Sequence, residues 1–252
     1  MSSVETELKR MMPVIDRLCR FSLLGKKIDL KGDENFVKEG PNIIVGNHIG
    51  TFKDIATIFK VAPRPVFFTA NKMIFSKEEF QALIRKHLRR HLKTFGTFAD
   101  LLLVPLRTWL VNFVSANIGK VGTIPVDLTR QKRLAIERCQ EYLRKGRAII
   151  ALQGRGRVVK KAPNPYVTPF RRGPSILSYT LYEWERIKVA VTPVALFGTQ
   201  APFLVPVTIR VNVGEPMFIT DYWGEGFGVT VERFRRAMEL RVQQLLLELI
   251  RA

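Results

Sequence analysis

The chain has 252 residues, enough for one large α/β domain with a substantial core, and no Pro/Gly/Ser-rich linker divides it. Its formal net charge of +19 indicates an anionic partner, which is a nucleic acid, a phospholipid surface or a phosphorylated substrate. The two cysteines, Cys19 and Cys139, have no metal-ligand spacing and suggest no disulfide framework, which favours a reducing compartment.

The first 27 residues predict an amphipathic N-terminal helix. The chain does not open with a basic segment followed by an apolar one, so we expect no cleaved signal peptide. The apolar stripe of this helix either packs on the domain or lies in a membrane interface. It is formed by residues that recur at helical spacing: Val4, Leu8, Met11, Ile15 and Leu18.

The strongest functional signal lies in residues 41–58. The apolar, β-branched run at 43–45 predicts a buried strand that stops before a loop with Asn47 and His48. His48 would lie at the carboxyl end of a strand, where open α/β sheets bind ligands, and its imidazole could take a proton from a hydroxyl. Asp54, at the start of the next predicted helix, could bind one ring nitrogen and leave the other as base. An ordinary hydrogen-bonded loop histidine is the alternative.

Residues 65–70 predict a second short strand, and Lys72 follows it closely. The pattern from Ala70 to Phe75 resembles the segment after the second strand in the glycerolipid acyltransferase family, and this resemblance implies that Lys72 opens onto the same crevice as His48. A solvated surface lysine explains the same sequence equally well.

Residues 81–118 combine a basic helix with an apolar stretch. Pro105 interrupts the stretch, and the ~13 residues after it would reach only ~20 Å against a hydrocarbon core of ~30 Å. We therefore predict an interfacial or buried helix rather than a membrane span. His87 and His91 are spaced i, i+4 without an acidic residue between them, so no metal is expected. The cations beside them are predicted to dock on anionic lipid: Arg85, Lys86, Arg89, Arg90 and Lys93.

The second half of the chain alternates predicted strands and helices. A strand at 122–128 precedes a helix at 131–145 and a buried strand at 147–152. Further strands are predicted at 189–198 and 207–213, before a last amphipathic helix.

A basic glycine-containing loop follows the strand at 147–152. Its glycines let backbone amides turn toward an anion, and its two guanidinium groups can bind phosphate oxygens bidentately. An ordinary basic surface turn would look the same in isolation. Residues 144–172 contain nine lysines and arginines and no acid, which predicts a strongly positive surface. The loop itself reads Gln153, Gly154, Arg155, Gly156 and Arg157.

These motifs, in this order, resemble those of the glycerolipid acyltransferase family, which includes the glycerol-3-phosphate and lysophosphatidic acid acyltransferases. The stretch from Asn47 to Asp54 is similar to the family's Asn-His-(four residues)-Asp motif, and residues 153–157 stand in the place of its Pro-Glu-Gly-Thr-Arg. Residues 122–128 resemble the second motif, and the strand after 207 ends in the family's Gly-Glu-Pro.

The resemblance runs from about residue 28 to 216 and implies an α/β fold. Residues 28–252 would form a single domain with a central, mostly parallel mixed sheet flanked by helices. The segment near 81–118 would be an insertion in this domain, and residues 1–27 would precede it as the amphipathic helix.

One departure from the family pattern concerns the central pair. Five residues separate His48 from Asp54, and Lys53 stands at the family's Asp position. Either the loop carries a one-residue insertion or the pair is broken. We predict a bulge between Gly50 and Lys53 that lets Asp54 reach the imidazole, because glycine permits unusual backbone angles and a lysine would repel an imidazolium.

Two further departures lie in the anion-binding motifs. Leu128 takes the place of the family's arginine, and Arg130 is the nearest basic residue beyond it. Gln153 replaces the family's glutamate, and Gly156 stands where its arginine would be.

The resemblance implies an O-acyltransferase that moves a fatty acyl group from coenzyme A or acyl carrier protein to a hydroxyl of a lysophospholipid or related lipid. His48 would be the general base and Asp54 its orienting group. Neither a metal nor a cofactor beyond the acyl donor is expected. The implied substrate- and phosphate-binding residues are Asn47, Lys72, Arg130, Gln153, Gly154, Arg155 and Arg157.

The expected location is peripheral, on the cytoplasmic face of an anionic membrane. The alternative function is that of a catalytically weak or inactive lipid-binding relative. Nucleic-acid binding rests on charge alone, without a helix-turn-helix, zinc-finger or RNA-binding signature.

Overall fold

The computed structural model describes residues 3–82, 104, 108, 111–112, 115–116, 118, 123–126 and 132–251. The chain forms two compact units, each made of two segments. One unit comprises Met1–Met12 and Thr69–Ala135, and the other comprises Pro13–Phe68 and Ile136–Ala252.

The described elements alternate between strands and helices over most of the chain. The helices are α1 (Ser3–Ser22), α2 (Phe52–Val61), α3 (Lys132–Arg144), α4 (Gly173–Glu185) and α5 (Gly226–Arg251). The strands are β1 (Lys26–Lys31), β2 (Asn42–His48), β3 (Val66–Asn71), β4 (Thr123–Val126), β5 (Ala148–Ile150), β6 (Gln153–Gly154), β7 (Ala190–Phe197) and β8 (Val207–Val213).

The second unit is built on a mixed sheet in the order β1-β8-β7-β2-β5-β3. Its neighbouring strands are parallel except for the antiparallel pair β7 and β8. The mostly parallel sheet flanked by helices confirms the predicted fold class. Strand β2 lies near the middle of the sheet, between β7 and β5. Both neighbours are parallel to it, so the carboxyl ends of the three strands lie at the same edge of the sheet.

The central strand is apolar on both faces because helices and loops cover both sides of a parallel sheet. Ile43, Ile44 and Val45 of β2 are completely or almost completely buried. Helix α5 closes one side with Phe234 and Met238, which are fully buried and spaced i, i+4. This core fixes the position of the residues that follow Val45.

Strand β2 extends further than the sequence predicted. The predicted strand stopped before Gly46, but the observed strand continues through Asn47 and His48. The reason is the two-residue strand β6, which pairs in parallel with this extension, Gln153 beside Asn47 and Gly154 beside His48. His48 is therefore held by a sheet rather than by a loop.

Helix α1 turns Ile15 of the predicted stripe to the interior, but Leu18 of that stripe is exposed and Cys19 is buried in its place. Cys19 and Cys139 are both free and buried. Burial raises the pKa of the Cys19 thiol to about 11 and that of the Cys139 thiol to about 12. Thiols with such values are almost entirely protonated at neutral pH and therefore unreactive.

No helix in the described part of the chain is long and apolar enough to cross a membrane. Most of the predicted insertion at 81–118 lies outside the described residues, including His87 and His91 and the cations between residues 85 and 93. The predictions made for those residues stay predictions.

Candidate active site at the end of strand β2

His48 and Asp54 are in direct contact at the carboxyl end of β2. The distance from His48 Nδ1 to Asp54 Oδ2 is 2.8 Å. The same carboxylate oxygen accepts hydrogen bonds from the backbone N–H groups of Ile49, at 2.9 Å, and Gly50, at 2.7 Å. Asp54 is fully buried. The carboxylate is therefore fixed in place by the loop that it closes.

This contact sets the tautomer of the imidazole. A carboxylate can only accept hydrogen bonds, so Nδ1 of His48 carries the proton and Nε2 is left as an acceptor. The His48 side chain is 25% exposed while Asp54 is completely buried. The imidazole is therefore partly open to solvent, and Asp54 is placed to stabilise the imidazolium that would form if Nε2 took a proton.

The one-residue insertion is absorbed at Thr51, which has φ +56° and ψ −124°. The prediction that Asp54 reaches His48 is confirmed, but the unusual backbone is at Thr51 and not at Gly50. Gly50 is needed for space, since a Cβ there would lie only 2.4 Å from the Thr199 Cβ. A residue larger than glycine would push apart the two segments that meet there.

Lys53, at the family's Asp position, does not take part in the pair. Its ammonium group donates a hydrogen bond to the carbonyl oxygen of Ala201, and its side chain is buried. Burial lowers the pKa of Lys53, the Lys26 charge lowers it further, and Asp54 opposes both effects. Lys53 thus ties the start of α2 to the loop after β7.

The glycine loop after β5 lies against the imidazole. A Cβ on Gly154 would be 2.8 Å from the carbonyl oxygen of His48, and Gly154 has φ +140°. A Cβ on Gly156, where φ is +69°, would be 3.4 Å from His48 Nε2 and 2.8 Å from Thr51 Cγ2. Both glycines therefore let the loop approach the ring closely, and Gly156 is directly beside the nitrogen that would act as base.

Arg155 and Arg157 alternate with these glycines and are exposed. Neither forms an ion pair with any residue in the part of the chain that the structure describes. Both flank Gly156, the residue beside Nε2, and their exposed guanidinium groups could bind an anion. This arrangement suits a ligand that carries a phosphate close to the reacting hydroxyl.

The amides of Asn47 and Gln153 are bonded to the protein backbone. Asn47 is fully buried, accepts from Leu196 N at 2.8 Å and donates to Leu196 O at 2.9 Å. Gln153 accepts from Arg171 N at 2.9 Å and donates to Ala151 O at 2.8 Å. Both side chains hold the strand ends around His48 in place. Their predicted contact with a ligand stays a prediction.

Two residues of the predicted site, Lys72 and Arg130, have side chains outside the described part of the chain, as does Leu128 of the family pattern. Lys72 begins the 3-10 turn Lys72–Phe75 of the first unit, but its side chain is not among those described. Leu128 and Arg130 lie outside the described residues. Their predicted roles are neither supported nor contradicted by the geometry.

Sequence reasoning missed the partners that shape the site from β7 and from the loop after it. Thr199 limits the space at Gly50, and Leu196 pairs with Asn47. A glycine two residues after His48 was a signal for a close backbone approach. The identity of the approaching segment depends on strand order, which the sequence did not specify.

The mostly parallel sheet flanked by helices is an acyltransferase-like α/β fold. The His48–Asp54 pair and the basic loop lie at the carboxyl end of its strand β2. A crystal structure of the 1-acyl-sn-glycerophosphate (LPA) acyltransferase PlsC from Thermotoga maritima has a similar fold, with a TM-score of 0.59. The similarity covers 99% of this chain and 83% of that chain, at 19% sequence identity. No protein-family model matches this chain, and neither does any curated protein. The likeness therefore shows the fold, and function must be argued from the site.

Proposed function

We propose that this protein is an O-acyltransferase that transfers a fatty acyl group from acyl-CoA or acyl carrier protein to a hydroxyl of a lysophospholipid or related lipid. One observation carries the proposal. His48 has its Nδ1 held by buried Asp54 while its Nε2 faces the glycine loop that carries Arg155 and Arg157. The similarity in fold to PlsC supports the same class of reaction.

In the proposed reaction His48 acts as the general base. Nε2 takes the proton of the acceptor hydroxyl as its oxygen attacks the thioester carbonyl carbon. The tetrahedral intermediate then collapses, the carbon–sulfur bond breaks, and the thiolate receives the proton from Nε2. An oxygen ester and a free thiol result. Asp54 stabilises the imidazolium between the two proton transfers.

The basic loop would position the substrates. Arg155 and Arg157 can bind phosphate oxygens of the acceptor or of the acyl donor with paired hydrogen bonds. Lys72 and Arg130 are further candidates for the same anions. The pairing of a phosphate site with Nε2 would keep the hydroxyl of a phosphorylated acceptor within reach of the base.

A lipid acceptor implies work at a membrane. We therefore place the protein on the cytoplasmic face of an anionic membrane, as a peripheral protein. The cations between residues 85 and 93 would contribute up to about 1 kcal/mol each to docking before screening.

A second candidate function is a lipid-binding relative with little or no catalysis. The observation that favours it is the use of Gln153, whose amide is bonded to Ala151 and Arg171 and supplies no carboxylate to the site. Leu128 also removes a cation that the family pattern contains.

His48→Ala distinguishes the two functions. We expect the variant to lose transfer by about 10²–10⁴-fold, the usual effect of a lost general base, with an unchanged melting temperature. Release of free thiol from an acyl thioester, with a panel of lysophospholipid acceptors, gives the rate. Equal rates for the two proteins would contradict the base assignment. Absence of transfer by either protein with every acceptor and donor would favour the lipid-binding function.

A further inference from the structure

One group of exposed apolar side chains on the second unit is formed by the end of α1 and the loop between β7 and β8. Phe21 is 63% exposed at the end of α1, and Leu24 follows it. Phe203, Leu204 and Val205 are exposed in the loop between β7 and β8. The rings of Phe21 and Phe203 are 5.2 Å apart between centroids, so the two segments form one surface. We call these five residues the apolar edge patch.

The apolar edge patch lies on the same edge of the sheet as His48. Gly50, two residues after His48, is in contact with Thr199 at the start of the loop after β7. Lys53 is bonded to Ala201 in the same loop, just before the patch residues begin. Phe52, beside Lys53, is 57% exposed and extends the apolar surface toward the site.

The protein holds this loop in a defined shape. The ammonium group of Lys26 donates hydrogen bonds to the carbonyl oxygens of Pro202, at 2.8 Å, and Val205. Leu204 adopts φ +65°, a left-handed conformation that favours glycine. A leucine kept at such a position, with 56% of its surface exposed, does not contribute to the core. Its exposed side chain is available to a partner outside the chain.

The charge around the site identifies the kind of partner. On the other side of His48 the glycine loop begins a surface of cations that form no ion pair within the described residues: Arg155, Arg157, Lys160, Lys161 and Arg171. An apolar surface next to unpaired cations matches a phospholipid layer with anionic headgroups. A second copy of the chain would bring two charges of +19 together, which opposes association.

We propose that the apolar edge patch inserts into the interface of an anionic phospholipid bilayer and so presents His48 Nε2 to the membrane surface. Phe21, Phe203 and Leu204 enter the acyl boundary, while Arg155 and Arg157 meet the headgroups. The inference deepens the proposed function and rests on it, since a base held at the surface can act on a lipid acceptor without extracting that lipid.

The test is flotation of the full chain with vesicles. One set contains phosphatidylcholine alone, and the other contains phosphatidylcholine and phosphatidylglycerol in equal amounts. We expect binding to the anionic set, weaker at high salt. Phe203→Ser/Leu204→Ser should weaken it by about tenfold or more for each apolar side chain withdrawn from the bilayer. The matched control is Leu240→Ser/Leu247→Ser, which removes two exposed leucines of α5 and should bind as wild type.

Leu204→Gly separates binding from folding. Glycine tolerates the left-handed conformation, so this variant should melt at or above the wild-type temperature and still bind vesicles less tightly. His48→Ala should bind as wild type, because flotation does not require turnover. With a short-chain, water-soluble lysophospholipid as acceptor, Phe203→Ser/Leu204→Ser should keep the wild-type rate.

Several results would overturn the inference. These are wild-type protein that does not float with anionic vesicles, equal weakening by the α5 control, or unchanged binding by both patch variants. Self-association of the wild type that disappears in Phe203→Ser/Leu204→Ser, without vesicle binding, would assign the patch to a second copy. Patch-dependent vesicle binding without any acyl transfer would instead overturn the proposed function and leave the inference standing.

Discussion

Two carboxylates of the second unit each gather three hydrogen-bond donors or cations, but in opposite environments. Asp54 is fully buried, and a single oxygen accepts from His48 and from two backbone N–H groups. Glu232, on α5, is partly exposed and uses both oxygens for the guanidinium groups of Arg235, at 2.8 and 3.0 Å, and Arg236, at 3.1 Å. Arg172 adds a cation at 3.4 Å.

The two carboxylates differ in whether water can take the place of a lost hydrogen-bond partner. Water can solvate Glu232 and its arginines if one of them is removed, so the loss is limited to a surface interaction. No solvent reaches the Asp54 carboxylate, and the donors it holds define the loop after β2 and the tautomer of His48. Changes at Asp54 should therefore affect transfer far more than changes at Glu232, whose effect should be confined to stability.

Asp54→Asn should have a larger effect on transfer than Gly156→Ala, Gly146→Ala or Glu232→Gln. The amide oxygen of asparagine can still accept from Nδ1 and from the backbone N–H groups of Ile49 and Gly50, but the neutral amide carries no negative charge to stabilise the imidazolium. We expect kcat to fall by about 10³–10⁴-fold, the magnitude typical of this change in a carboxylate–histidine pair. The matched control is Glu232→Gln, the same chemical change at the other carboxylate, which should leave kcat within about twofold. Comparable losses in both variants would mean that Asp54 acts through stability alone.

Gly156→Ala should have an intermediate effect on transfer. Its Cβ would stand 3.4 Å from His48 Nε2 and 2.8 Å from Thr51 Cγ2, in the space where the acceptor hydroxyl must enter. We expect transfer to fall by about tenfold, the scale of a small misplacement of substrate. The measured quantity is kcat/KM with a lysophospholipid acceptor.

Gly146→Ala is the control for the strain at Gly156. Gly146 has φ +68°, nearly that of Gly156, but its nearest neighbour to a new Cβ is 3.8 Å away. Both variants should lose about 1 kcal/mol of stability for placing alanine in a left-handed conformation. Only Gly156→Ala should lose transfer. Equal transfer in the two variants would show that the space beside Nε2 is not where the acceptor binds.

The sequence predicted the order of most elements because most strands and helices have a local signal. The buried run at 43–45 and the helical periodicity after residue 226 specify their elements without reference to the rest of the chain. The contact between His48 and Asp54 was also predictable. The two residues are close in sequence, and a bulge in the loop between them is enough to bring them together. No local signal indicated that Thr51, rather than Gly50, would adopt the positive φ.

The rest of the site depends on contacts between distant segments. Strand β6 has only two residues, too few for a periodic pattern, yet it places Gly154 against His48. The bonds from Asn47 to Leu196 and from Lys53 to Ala201 depend on β7 lying next to β2. The family pattern also suggested a ligand role for Gln153. A motif does not reveal that the amide of this side chain is already hydrogen-bonded to the backbone.

Glu232→Gln should give the smallest effect, and its pH dependence tests the other side of the comparison. Hydrogen bonds from Arg235 and Arg236, with the charge of Arg172, hold the pKa of Glu232 at about 2, and burial opposes them. A carboxyl whose folded pKa lies below its ordinary value stabilises the fold above that ordinary value and loses this contribution as the pH falls. At pH 7 we expect Glu232→Gln to lower the free energy of unfolding by about 1 kcal/mol, as solvent screens the arginines. In urea titrations the gap between variant and wild type should narrow from about pH 4.5 and close near pH 2. A gap that stayed constant over this range would mean that the lost stability comes from packing rather than charge.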